Sequence, residues 1–147
     1  MTTSNERFEG WNSSETSGSA LNVLVVDDEP MVLCLLKVYL PRMGFTVWTA
    51  ENGKAALSLY ERQRNEIDLV LLDVRMPVLD GPQTLRELRR LDPDVKCCFM
   101  SGYTGQYTSE SLQQMGALAV FDKPFDLDAL GRMLRHFAGN APLRRTA

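Results

Sequence analysis

The sequence predicts an α/β fold: a doubly wound parallel sheet of five strands with five helices on its two faces. Three observations support this. Short runs of branched apolar residues alternate with longer stretches of helical spacing, the order that βα units require. The central run, Ile67 to Leu72, shows no polar alternation, so it reads as a strand buried on both faces. Turn and breaker residues separate the runs: Pro41 and Gly44, Asn52-Gly53, Met76-Pro77, Asp80-Gly81, Asp92-Pro93 and Gly116.

Residues 1–20 are rich in Ser, Thr, Asn, Glu and Gly, with Phe8 and Trp11 as the large apolar groups, and read as a disordered leader. Leu21 to Val26 is the first strand and ends in Asp27-Asp28-Glu29-Pro30. Pro30 suits a first helical turn, where its missing N–H costs nothing, and acidic residues favour that positive end. The helix runs from Met31 to Leu40, until Pro41 and Gly44 stop it. Phe45 to Thr49 alternates as the second strand, and Lys54 to about Arg64 has helical spacing in Ala55, Leu57, Leu59 and Tyr60. The central strand follows and closes on Asp73.

Pro82 to Leu91 is amphipathic through Leu85, Leu88 and Leu91, with arginines outward, and forms the third helix. Val95 to Met100 is the fourth strand, ending at Ser101-Gly102. Tyr103 to Met115 is a polar helix closed by Gly116. Ala117 to Phe121 is the fifth strand, ending at Asp122-Lys123-Pro124, and Leu127 to Phe137 is the last helix. The domain spans residues 21–138, and residues 139–147 form a flexible basic tail. No internal repeat is present.

At 147 residues the chain has room for one domain with a proper core. A formal charge of -3 gives no basic field for nucleic acid. No apolar run approaches a membrane span and no signal peptide opens the chain, so the expected address is cytoplasmic. Cys34, Cys97 and Cys98 have no metal-ligand spacing and read as buried small hydrophobes in a reducing compartment. Neighbours in a strand face opposite ways, so Cys97 and Cys98 are badly placed to bridge each other. His136, in the last helix, reads as a surface or half-buried residue.

In a parallel sheet all strand tips meet at one edge. Asp27, Asp28, Asp73, Ser101 and Lys123 therefore converge on one crevice. Carboxylates packed together repel unless something positive neutralises them, and a hard divalent cation such as Mg²⁺ is the obvious answer. Lys123 offers a point charge and Ser101 a hydroxyl, both suited to phosphoryl oxygens. Asp73 could then attack phosphorus and hold an acyl phosphate. Each residue alone has a plainer reading: Asp27 and Asp28 as helix caps, Ser101 as a turn residue, Lys123 as a solvated charge.

Four pieces, Val25-Val26-Asp27-Asp28-Glu29-Pro30, Asp73-Val74-Arg75-Met76-Pro77 with Asp80-Gly81, Met100-Ser101-Gly102-Tyr103 and Asp122-Lys123-Pro124-Phe125, together resemble a response-regulator receiver domain of two-component signalling. The resemblance covers Leu21 to about Ala138. It implies a flavodoxin-like sheet of order 2-1-3-4-5, with Asp73 as phosphoacceptor. It also implies that Asp28 is a direct Mg²⁺ ligand, that Asp27 holds a metal-bound water, and that the backbone carbonyl of Arg75 completes the metal shell. Ser101 and Lys123 match the hydroxyl and the lysine that contact the phosphoryl group, and the Lys123–Pro124 bond is expected to be cis. The implied phosphodonor is a sensor histidine kinase or a histidine phosphotransfer protein. The implied output is a downstream protein binding the face of helix four, strand five and helix five, with no direct contact to nucleic acid and no membrane insertion. Such a domain accepts phosphate, and can lose it again, without being a conventional turnover enzyme. It occurs as a single-domain regulator or as part of a hybrid kinase.

One position departs from the family pattern. Val120 stands where the family usually has Tyr or Phe, three residues before the lysine, and Phe121 should face the other way. Tyr103 and Tyr107 are candidates for the missing aromatic. Arg75 and Tyr103, two residues beyond Asp73 and Ser101, flank the expected path of an attacking water and should slow loss of the phosphoryl group. Two other classes compete: an aspartyl-nucleophile phosphatase, which would turn over a small phosphomonoester, and a receiver-like interaction module, which would show no Mg²⁺-dependent labelling.

Overall fold

The computed structural model describes residues 20–102 and 107–139. Among them, strands β1 (Leu21–Val26), β2 (Phe45–Ala50), β3 (Leu69–Asp73), β4 (Cys97–Ser101) and β5 (Val120–Asp122) form one sheet in the order β2-β1-β3-β4-β5. Every pairing is parallel. The crossovers carry α1 (Pro30–Tyr39), α2 (Gly53–Gln63), α3 (Gly81–Leu91) and α4 (Ser109–Gln114), and α5 (Leu127–Gly139) follows the last strand. The expected doubly wound sheet and its order are both present.

Side-chain alternation along the strands divides the core in two. Leu24, Val26, Val70, Leu72, Cys97 and Phe99 pack with Ala56, Tyr60, Leu85 and Leu88 on one face. Val23, Val25, Leu69, Leu71, Cys98 and Met100 pack with Leu36, Leu40, Leu130 and Leu134 on the other. All five residues of β3 are buried, as its unbroken apolar run requires. Each large apolar side chain taken fully out of water contributes about 1.5–3 kcal/mol, so this strand anchors both layers. Cys97 and Cys98 fall on opposite faces as free thiols.

Cys34 is exposed, against the expectation that it is buried. Helix α1 turns Leu36 inward and leaves Met31, Cys34, Leu35 and Val38 on its outer side, so its apolar spacing does not mark the buried stripe alone. The helix also ends at Tyr39, and Leu40–Met43 tightens into a 3₁₀ turn before Gly44, at φ 92°, releases the chain into β2. Among the described residues, the polar helix expected from Tyr103 occupies Ser109–Gln114. Thr108 starts it with a capping box, its hydroxyl accepting from the Ser111 N–H. Tyr103 lies outside the described residues, as do the leader up to residue 19 and the tail from residue 140. No helix among the described residues is long and apolar enough to cross a membrane.

Candidate functional site

The strand order reverses between β1 and β3: the chain turns from β1 toward β2, then re-enters on the other side. Open α/β sheets carry their sites in the crevice this reversal leaves at the carboxyl ends of the strands. Here that crevice lies between Asp27-Asp28 and Asp73.

Asp27 follows β1 directly and is fully buried. Its Oδ1 accepts the Glu29 N–H at 2.9 Å, closing the β1–α1 loop. The plain reading of Asp27 and Asp28 as helix caps fails, because the N-cap of α1 is Glu29, with no side-chain capping bond, and Pro30 follows it. Asp28 is exposed at the mouth of the crevice.

Asp73 ends β3 and is 5 % exposed. Its position depends on how closely α3 approaches. The Gly81 N–H donates to the Val74 carbonyl at 2.8 Å, and a Cβ at Gly81 would lie 2.4 Å from the Asp73 carbonyl oxygen. Only glycine fits there. Asp80 caps α3 in a reciprocal box with Gln83.

Ser101 ends β4, next to β3 in the sheet, and is buried. Its Oγ has no hydrogen-bond partner among the described residues. A buried hydroxyl left unpaired costs about 1–3 kcal/mol, so this group is ready for an acceptor entering the crevice.

Lys123 follows β5, its N–H bonded to the Ser101 carbonyl at 2.9 Å, and the Lys123–Pro124 bond is cis as expected. Its ammonium donates to Asp27 Oδ2 at 2.7 Å and to Glu29 Oε1 at 2.9 Å, and lies 3.5 Å from Asp73 Oδ1.

One carboxylate oxygen from each of Asp27, Asp28 and Asp73 lies within 4.8 Å of the others. Burial, then the charge of Asp27, pushes Asp73 up to about 7, while Lys123 pulls the other way. Burial likewise raises Asp27 against the lowering effect of Lys123. Burial would lower Lys123, but its bonds to Asp27 and Glu29 outweigh that and raise it. One lysine therefore does not neutralise the cluster. Three convergent hard oxygens carrying excess negative charge fit a small divalent cation. Beside them opens a cavity of about 590 Å³ whose walls include Asp28, Asp73, Arg75 and Lys123.

The predicted residues Asp27, Asp28, Asp73, Ser101 and Lys123 are thus gathered at one edge, and the exposed Arg75 borders the same cavity. One site residue was missed. Glu29 shares Lys123, and its only sequence signal was being a third acid at the same strand tip. Tyr107 donates to Asp80 Oδ2 at 3.0 Å, tying the segment after β4 to the cap of α3. Val120 packs on the α2–α3 face, together with Tyr107, and Phe121 packs on the α1–α5 face. Position 120 therefore holds an aliphatic side chain, and the aromatic beside it faces away.

The family model for the response regulator receiver domain matches residues 23–135. The sensor kinase CckA of Brucella abortus is 38 % identical over 123 residues, 84 % of this chain but 13 % of the kinase. Sporulation initiation phosphotransferase F of Bacillus subtilis is 32 % identical over 108 residues, 74 % of this chain and 86 % of that protein. Among solved structures, the receiver domain of the Pseudomonas aeruginosa sensor histidine kinase PA1611, which has magnesium in its active-site cleft, aligns with TM-score 0.73 and 30 % identity. That alignment covers 83 % of this chain and all of the other. The matched segment takes in every residue of the acidic crevice and its lysine, and the chain belongs to the response regulator receiver domain family of two-component signalling.

Proposed function

We propose that Asp73 accepts a phosphoryl group from a phosphohistidine on a sensor histidine kinase or a histidine phosphotransfer protein. The observation that carries this is the placement of Asp73: buried, with a carboxylate oxygen within 4.8 Å of one from each of Asp27 and Asp28, and 3.5 Å from the Lys123 ammonium. One Asp73 oxygen forms a bond to phosphorus as the bond from phosphorus to the donor imidazole breaks, the electron pair returning to the ring nitrogen. Lys123 neutralises charge gathering on the equatorial oxygens, and Ser101 Oγ–H donates to one of them. Burial fixes the nucleophile and limits the water that would compete.

Mg²⁺ is the cation proposed for the cluster, held by Asp28 and Asp73 directly, by Asp27 through water and by the Arg75 carbonyl. It would supply the positive charge that keeps Asp73 ionised and screens the incoming phosphate. Slow hydrolysis of the acyl phosphate is part of the same reading, with Arg75 and Tyr103 hindering water. The receiver unit is assigned residues 21–138, with residues 1–20 as leader and 139–147 as tail. Its output is a change of the α4–β5–α5 face, offered to a downstream protein. The free thiols suit the reducing cytoplasm.

The direct test is phosphotransfer. A radiolabelled, phosphorylated histidine kinase mixed with the full chain and Mg²⁺ should pass label to wild type and none to Asp73→Ala. Equal labelling of both would end the assignment. Turnover of a small phosphomonoester instead would point to a phosphatase.

A further inference from the structure

Lys123 has more acceptors than its role at the phosphoryl site requires. An ammonium has three N–H donors. One goes to Asp27 and a second to Glu29, leaving Asp73 at 3.5 Å. The two bonded carboxylates differ in kind. Asp27 is fully buried, and both its oxygens are engaged, Oδ1 by the Glu29 N–H and Oδ2 by Lys123. The Glu29 side chain is 61 % exposed and lies outside the three-acid cluster. Water can replace an ammonium at Glu29 at little cost, because exposed ion pairs contribute little stability. Asp27 is a fixed anchor for Lys123, whereas Glu29 is an exchangeable one.

We propose that Glu29 is a counter-ion latch for Lys123, holding the ammonium at the cavity mouth and giving it up when a phosphoryl group is on Asp73. This rests on the phosphoacceptor reading and adds a positioning residue to it. Glu29 draws the ammonium toward the cavity mouth and phosphoryl oxygens on Asp73 would draw it toward the end of β3, so the two compete for its position. Weakening the latch therefore favours the phosphoryl-bearing state.

The test uses beryllofluoride as a stable stand-in for the phosphoryl group, titrated calorimetrically into the full chain at saturating Mg²⁺. Glu29→Gln should bind it about two- to fivefold more tightly than wild type, the scale of an exposed ion pair. Glu29→Asp keeps the charge but shortens the reach, so it should also gain. In a Lys123→Ala background the Glu29→Gln gain should vanish. Unchanged or weaker binding by Glu29→Gln overturns the latch. So does a gain by Gln with Asp behaving as wild type, which would make the effect one of bulk charge. A gain that persists without Lys123 does the same. If wild type itself binds no beryllofluoride, the phosphoacceptor reading fails and the latch with it. If wild type binds and the variants show no gain, the latch alone fails.

Discussion

Asp73 is a carboxyl group placed where it cannot easily be an anion. An ordinary aspartate titrates near 3.8, and burial with Asp27 nearby raises this one to about 7. The folded chain therefore holds a proton that the unfolded chain has released, and stability falls as pH rises between about 4 and 7. In EDTA, Asp73→Asn should be more stable than wild type by up to about 4 kcal/mol at pH 8, the gain fading toward pH 4. Urea unfolding across that range checks it, and a gain independent of pH would contradict the assignment. Val78 is strained in another way. It is 87 % exposed at φ 70°, and the Leu79 N–H bonds the Pro77 carbonyl across it at 2.8 Å, a γ-turn that a β-branched residue resists. Val78→Gly should raise stability by about 1 kcal/mol, and an unfolding curve no better than wild type would count against that strain. The crevice residues were legible because a strand tip follows from topology: find the strand and Asp73 or Lys123 sits at its end. Glu29 was not, since a side chain reaching across a loop leaves no periodic trace.

Elements were legible where caps and burial agreed. Helix α3 was placed to within a residue because the break at Asp80-Gly81, Pro82 and the leucine stripe all point the same way, and the observed capping box agrees with them. Helix α4 was overextended because its polar sequence has no apolar stripe to mark where it begins, and the structure starts it at the Thr108 cap. Helix α1 misled about Cys34, because apolar spacing continues onto its solvent side. The element on which the site most depends is the start of α3. Gly81→Ala would drive a methyl group against the Asp73 carbonyl and the Val74 backbone. A cost above about 2 kcal/mol is expected, and because the shift displaces Asp73, phosphorylation by acetyl phosphate should slow as well. A thermal midpoint and labelling rate equal to wild type would show that the close approach is dispensable.

At the scale of the molecule, alternating runs made the parallel sheet and its two helical layers readable. The order β2-β1-β3-β4-β5 came with the family motifs, because periodicity says which segments are strands but not which are neighbours. That order puts the switch point between β1 and β3, and it brings together groups from distant parts of the chain. Lys123 meets Asp27 across 96 positions of sequence. The arrangement works only if the acids share one cation and Asp73 is the group that reacts. Intact mass after incubation with acetyl phosphate tests this most directly. The full chain with Mg²⁺ should gain one phosphoryl group, and it should gain none in EDTA or as Asp73→Ala. Labelling of Asp73→Ala to the wild-type level, or labelling of wild type unaffected by EDTA, would contradict it.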